Sequence, residues 1–149
     1  MRPLIGRASH AFAFLSPCFL VALLAATPAT SNDLQVGNPW VSLPILDEEP
    51  AIYFAIANRR DAPRKITGAS SPRCERIEIH RAAVQDGVMG SVELDEMEIP
   101  AGGAVAFAPR GLFLKMIGSQ SLSEGENVPV ELELDDGEKI SFDAVVKDE

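Results

Sequence analysis

Histidine, cysteine and the large aromatics are scarce in this sequence: 149 residues contain two His, two Cys, one Trp and one Tyr. His10 and Cys18 fall in the first 29 residues, so the rest of the chain holds one imidazole, His80, and one thiol, Cys74. A Ser-His-Asp or Cys-His nucleophile could use only His80, and no Gly-x-Ser-x-Gly elbow surrounds any serine. A structural zinc site of the Cys/His type has too few ligands. Residues 30–149 cannot form an internal disulfide. No phosphate-cradling loop is present, since Ala101-Gly102-Gly103 follows a proline and precedes a short strand pattern. Basic residues are also few, 13 against 22 acidic, for a net charge of −9. That balance argues against nucleic acid or an anionic membrane surface as partner. Together these gaps point away from an enzyme.

The amino terminus is the one strongly apolar region. Arg2 and Arg7, with no acid nearby, precede an apolar run from Ala11 to Ala26, and Thr27-Pro28-Ala29 supplies small residues. This is the pattern of a cleaved secretory signal, residues 1–29, and it implies a periplasmic or otherwise extracytoplasmic protein. The run is short of the roughly 20 residues a bilayer span needs, so no membrane span is expected after cleavage. A lipoprotein reading of Leu15-Ser16-Pro17-Cys18 is disfavoured, because apolar residues continue past the cysteine. Residues 30–149 are one domain's worth of chain. Cleavage would remove two arginines and no acid, taking the net charge from −9 to −11.

The remainder reads as all β. Ala51–Ala57, Cys74–His80, Val128–Leu134 and Lys139–Val146 are short runs bounded by turn residues, most of them alternating with period two, and shorter runs fit Val36–Val41, Arg64–Ala69, Val88–Leu94, Ala104–Ala108 and Leu112–Ile117. Asp86-Gly87 and Asp136-Gly137 are hairpin dipeptides, and Asp95-Glu96 and Asp135-Asp136 read as charged turns. Asn32 to Gln35 is expected to be a flexible start, and Leu46 to Pro50 an exposed acidic loop. The pattern predicts a cupredoxin-like or Ig-like Greek-key β-sandwich of about 8–9 strands. In Arg76-Ile-Glu-Ile-His80 the isoleucines face the core, so Arg76, Glu78 and His80 share the other face and His80 is expected to be accessible.

Asn38-Pro-Trp-Val, Ala51-Ile-Tyr-Phe, Gly68-Ala-Ser-Ser-Pro72, Glu78-Ile-His80, Asp86-Gly-Val-Met89, Glu98-Ile-Pro-Ala-Gly-Gly103, Gly118, Glu124-Gly and Val128-Pro-Val follow one another in an order that resembles the periplasmic copper A chaperone family, PCu(A)C. The resemblance covers about Leu34 to Val146. It implies a cupredoxin-type sandwich that binds copper(I) near its surface. It also implies a copper-transfer protein partner in the respiratory oxidase assembly pathway, which leads to the copper A centre of cytochrome c oxidase. The family pattern is a histidine, a methionine eleven positions on, a histidine twenty-two beyond that and a methionine two further.

Counted from His80, the last three positions fall on Ser91, Phe113 and Lys115, so only the first ligand is kept. Phe113 offers no lone pair, and Lys115 carries an ammonium towards a cation. Met89, two residues before Ser91 on the same face, is the nearest soft donor at roughly 7 Å along the strand. A reduced His80–Met89 pair is therefore the expected metal site. Met116 points to the opposite face with Leu112 and Leu114 and is expected to fill the core, as is Met97 near its turn. Cys74 lies too far along the strand to share a metal with His80. The alternative is a metal-free interaction module that presents Phe113 and Lys115 where the ligands would stand.

Overall fold

A computed structural model describes residues 33–44 and 48–148. The signal segment, His10, Cys18 and, of the Leu46–Pro50 loop, Leu46 and Asp47 lie outside the described residues. Among those described there is no helix, hence none long and apolar enough to cross a membrane. Ten strands form: β1 (Leu34–Ser42), β2 (Ala51–Asn58), β3 (Arg64–Ser70), β4 (Arg76–Gln85), β5 (Val88–Leu94), β6 (Met97–Ile99), β7 (Ala104–Phe107), β8 (Leu112–Ile117), β9 (Asn127–Leu134) and β10 (Lys139–Lys147).

All nine expected runs appear. The tenth strand, β6, is three residues pairing with β3 at Ile66↔Met97, too short to show alternation. Several boundaries shift, most of all at β4, which runs on to Gln85 where the expected run stopped at His80, and two of the strand starts have a local cause. Leu34 begins β1 opposite Asn58 and is buried, so the chain is fixed there where a flexible start was expected. The fourth strand begins at Arg76, leaving Cys74 in the preceding bend, its thiol 3.9 Å from the Ser71 carbonyl.

Hydrogen bonding runs continuously in the order β5-β4-β8-β7-β2-β1-β10-β9-β3-β6. Ten strands laid flat would span roughly 43 Å at about 4.8 Å per spacing. Yet Ile79 of β4 and Leu114 and Met116 of β8 share one hydrophobic cluster with Ile66, Ile99, Leu132 and Leu134 from the far end of that order. The sheet must therefore curl over itself, and its two halves face each other as a sandwich. Period two explains the filling: Ile52, Phe54 and Ile56 of β2 and Val128, Val130, Leu132 and Leu134 of β9 all point inward. The first and last strands close the layer by parallel pairing, Trp40↔Val145.

Two buried polar groups tie the loops down. Arg64 donates to Asp136 at 2.8 Å and Glu138 at 3.0 Å, joining β3 to the β9–β10 turn. The Asn58 amide donates to the carbonyls of Ala62, Pro100 and Ile99 at 2.8, 3.2 and 3.3 Å, while its oxygen accepts the Arg60 N–H at 3.0 Å. Leucine at position 58 would fit the volume but leave those buried groups unpaired. Asn58→Leu is expected to cost roughly 2–3 kcal/mol, read as a lower urea midpoint at unchanged slope.

Candidate metal centre

Asp86 (φ 53°) and Gly87 (φ 80°) both take the left-handed conformation, which a two-residue turn of this twist requires. The turn puts Gln85 opposite Val88, and every later pair follows from it: Ala82 faces Ser91 and His80 faces Glu93. On the other side of β4, His80 pairs with Phe113 and Glu78 with Lys115. The β5-β4-β8 register thus brings Ser91 and Phe113, two of the three positions to which the family ligand pattern extrapolates, against one imidazole and sets the third, Lys115, opposite Glu78.

The contacts are specific. His80 Nδ1 lies 3.0 Å from Ser91 Oγ, and Nε2 lies 2.9 Å from Glu78 Oε2. The imidazole stacks on Phe113, centroids 5.6 Å apart and planes 26° from parallel. His80 is only 8% exposed, a correction to the accessible side chain expected from alternation. Alternation identifies the face but not what covers it: β4 is flanked on both sides, and Phe113 and Ser91 close over the ring. Polar and aromatic groups form that cover, and both ring nitrogens have partners, so the burial leaves no orphaned donor.

Glu78 accepts hydrogen bonds from Arg76 at 2.8 Å and from His80. The His80 bond first, then the Arg76 bond, hold its carboxyl below the ordinary 4.5. A folded value below the unfolded one contributes stability that is complete above about pH 4.5 and disappears as pH falls through the folded value. Glu78→Gln cannot titrate, so the loss of urea midpoint between about pH 6 and about pH 3 is expected to be smaller in the variant than in the parent protein.

Glu93, exposed on β5, completes a group the alternation argument did not single out. Ligand atoms of Glu78, His80 and Glu93 all lie within 4.8 Å of one another. Met89 stands elsewhere: it faces Val84, four residues along β4 from His80 and thus roughly 13 Å away along the strand, and it is 63% exposed. It lines a recess of about 470 Å³ with Tyr53, Ser91, Phe113, Lys115 and Glu48. Met116 is fully buried in the core, and Met97 packs against it. Burial raises the Cys74 thiol above its ordinary value, with Glu49 adding to the effect.

Phe113 also continues an aromatic row across the sheet, with Tyr53 at 6.5 Å, Trp40 at 4.7 Å from Tyr53, and the Lys147 ammonium 5.9 Å from the Trp40 ring. A bulge at Asn38 (φ 48°) shifts the β1–β2 register between Gly37 and Trp40 and brings the indole opposite Tyr53.

Known proteins agree with this architecture. The copper-bound PCuAC domain from PmoF2 superposes with TM-score 0.65 at 18% identity, covering 78% of this chain and 94% of that one. The apo PCuAC domain from PmoF1 gives 0.63 at 22%, covering 78% and 95%. The Cu(I) form of DR1885 from Deinococcus radiodurans gives 0.58 at 26% identity, covering 85% of this chain and 83% of that one. No curated protein matches the sequence. The LpqE-like lipoprotein family profile matches residues 34–146. Since that stretch runs from the first residue of β1 into the end of β10, the described sandwich as a whole belongs to the LpqE-like family.

Proposed function

We propose that this chain is an extracytoplasmic copper-binding, chaperone-like protein that holds its cargo at His80. One observation carries the reading: the single imidazole among the described residues sits on the β4–β5 hairpin with two carboxylates within 4.8 Å, on a fold shared with copper-bound PCuAC domains. The fold likeness to Cu(I)-loaded DR1885 supports the same cargo. An apolar, acid-free amino terminus supports export, and the PCu(A)C resemblance extends the role to delivery towards the copper A centre through an oxidase-assembly partner. Copper titration of the protein tests this: one equivalent bound, and strong weakening by His80→Ala.

A second reading is favoured by a different observation. Both nitrogens of His80 are already hydrogen-bonded and its face is stacked on Phe113, as in a site that stands without metal. On that reading Phe113 and Lys115, both part-exposed at the recess, contact a protein partner. Co-purification of a periplasmic partner that Phe113→Ala abolishes and copper leaves untouched would support it.

A further inference from the structure

The donors beside His80 do not fit the soft ion that the PCu(A)C pattern implies. Cu(I) is best held by thioether and thiolate sulfur. Met89, the thioether of this hairpin, faces Val84, and the donors beside the imidazole are Glu78, Glu93 and Ser91, all oxygen. We propose that Glu78, His80 and Glu93 form a site for a borderline divalent ion, Cu(II) foremost, with Ser91 positioning the imidazole. This rests on the reading of His80 as the metal-holding residue and changes the ion it holds.

Two carboxylates bring charge to a divalent cation that two thioethers would not. Imidazole with carboxylate oxygen suits Cu(II), which also heads the affinity order of the first-row divalent ions. Ser91 has a further part. A carboxylate accepts, so with Nε2 donating to Glu78 the neutral ring has Nδ1 free to accept from the Ser91 hydroxyl. For Nε2 to bind a metal, that proton must stand on Nδ1 instead. A hydroxyl can turn from donor to acceptor and bond the ring in either tautomer, which a methionine at the same position could not do. The two tautomers carry the same number of ring protons, the one on Nε2 being exchanged through solvent for one on Nδ1. Ser91 is thus a positioning residue, acting through the ring as hydrogen-bond partners of metal-bound histidines do.

The test titrates the full chain with Cu(II), and separately with Cu(I) under anaerobic conditions, each against a competing chelator. Expected are one Cu(II) per chain with an electron paramagnetic resonance signature of mixed nitrogen and oxygen ligation. Glu93→Gln should weaken Cu(II) by about tenfold or more, and Ser91→Ala by a comparable factor that Ser91→Thr restores. Met89→Leu should leave Cu(II) affinity unchanged, and circular dichroism should confirm that each variant is folded. Tighter Cu(I) than Cu(II) binding, weakened by Met89→Leu and indifferent to Glu93→Gln, would overturn the inference while leaving the copper-binding function standing. Failure to bind either ion, or binding indifferent to His80→Ala, would sink both.

Discussion

Replacing His80 with alanine is expected to lower copper affinity by about 100-fold or more while the protein stays folded. Removing hydrogen-bond partners that merely orient a metal ligand already costs about 10- to 100-fold, and His80 is the one nitrogen donor in the group. Two oxygen donors from Glu78 and Glu93 would remain, and carboxylates on a sheet surface hold copper weakly without an imidazole. The change has a structural side as well. Glu78 would lose its His80 partner and Phe113 its stacking surface, for a destabilisation of roughly 1–3 kcal/mol. That loss is small beside the stability typical of a domain, about 5–15 kcal/mol, so competition titration of the variant reports binding and not unfolding.

The second large effect falls on stability. Leu114 is fully buried on β8, pairing with Ile79 of β4 on one side and Ile52 of β2 on the other. Its side chain therefore fills the core directly beneath the sheet face that carries Phe113 and Lys115. Leu114→Ala is expected to destabilise by about 3 kcal/mol, the sum of lost burial and an unfilled cavity. In a thermal melt of a domain this size that is a fall of roughly 10 °C. A fall of a degree or two would mean that the β2-β8-β4 layer is not the packed seam described above. Copper affinity should fall less than stability, because the register that places the ligands is set by the Asp86-Gly87 turn and not by Leu114.

Much of this arrangement is legible in the residues because hairpins are local. A two-residue turn at Asp86-Gly87 fixes every β4–β5 pair, and His80 opposite Glu93 follows from it by counting. Parity along β4 likewise groups Glu78 with His80. Glu93 escapes notice when attention goes to soft ligands, for which the hairpin offers only Met89. What counting along one strand cannot reach is non-local. Phe113 meets His80 because β8 comes back beside β4 from a distant part of the chain, and that pairing turns an outward-facing histidine into one 8% exposed. The parallel contact of β1 with β10 has the same character, as does β6, whose three residues become a strand only because β3 lies beside them.

The Asn38 bulge shows how a single residue conveys such information. Asparagine tolerates a positive φ better than most side chains, and here it turns the strand so that Trp40 meets Tyr53. The aromatic row that results ends at His80, so the outer face of the sandwich and the candidate metal centre are one continuous surface.

Pulsed electron paramagnetic resonance on the protein loaded with one equivalent of Cu(II) addresses that centre most directly, because it detects the remote nitrogen of a copper-bound imidazole. The account predicts the modulation of one such nitrogen, present in the parent protein and absent in His80→Ala. A spectrum without imidazole modulation, or one unchanged by the substitution, would contradict it.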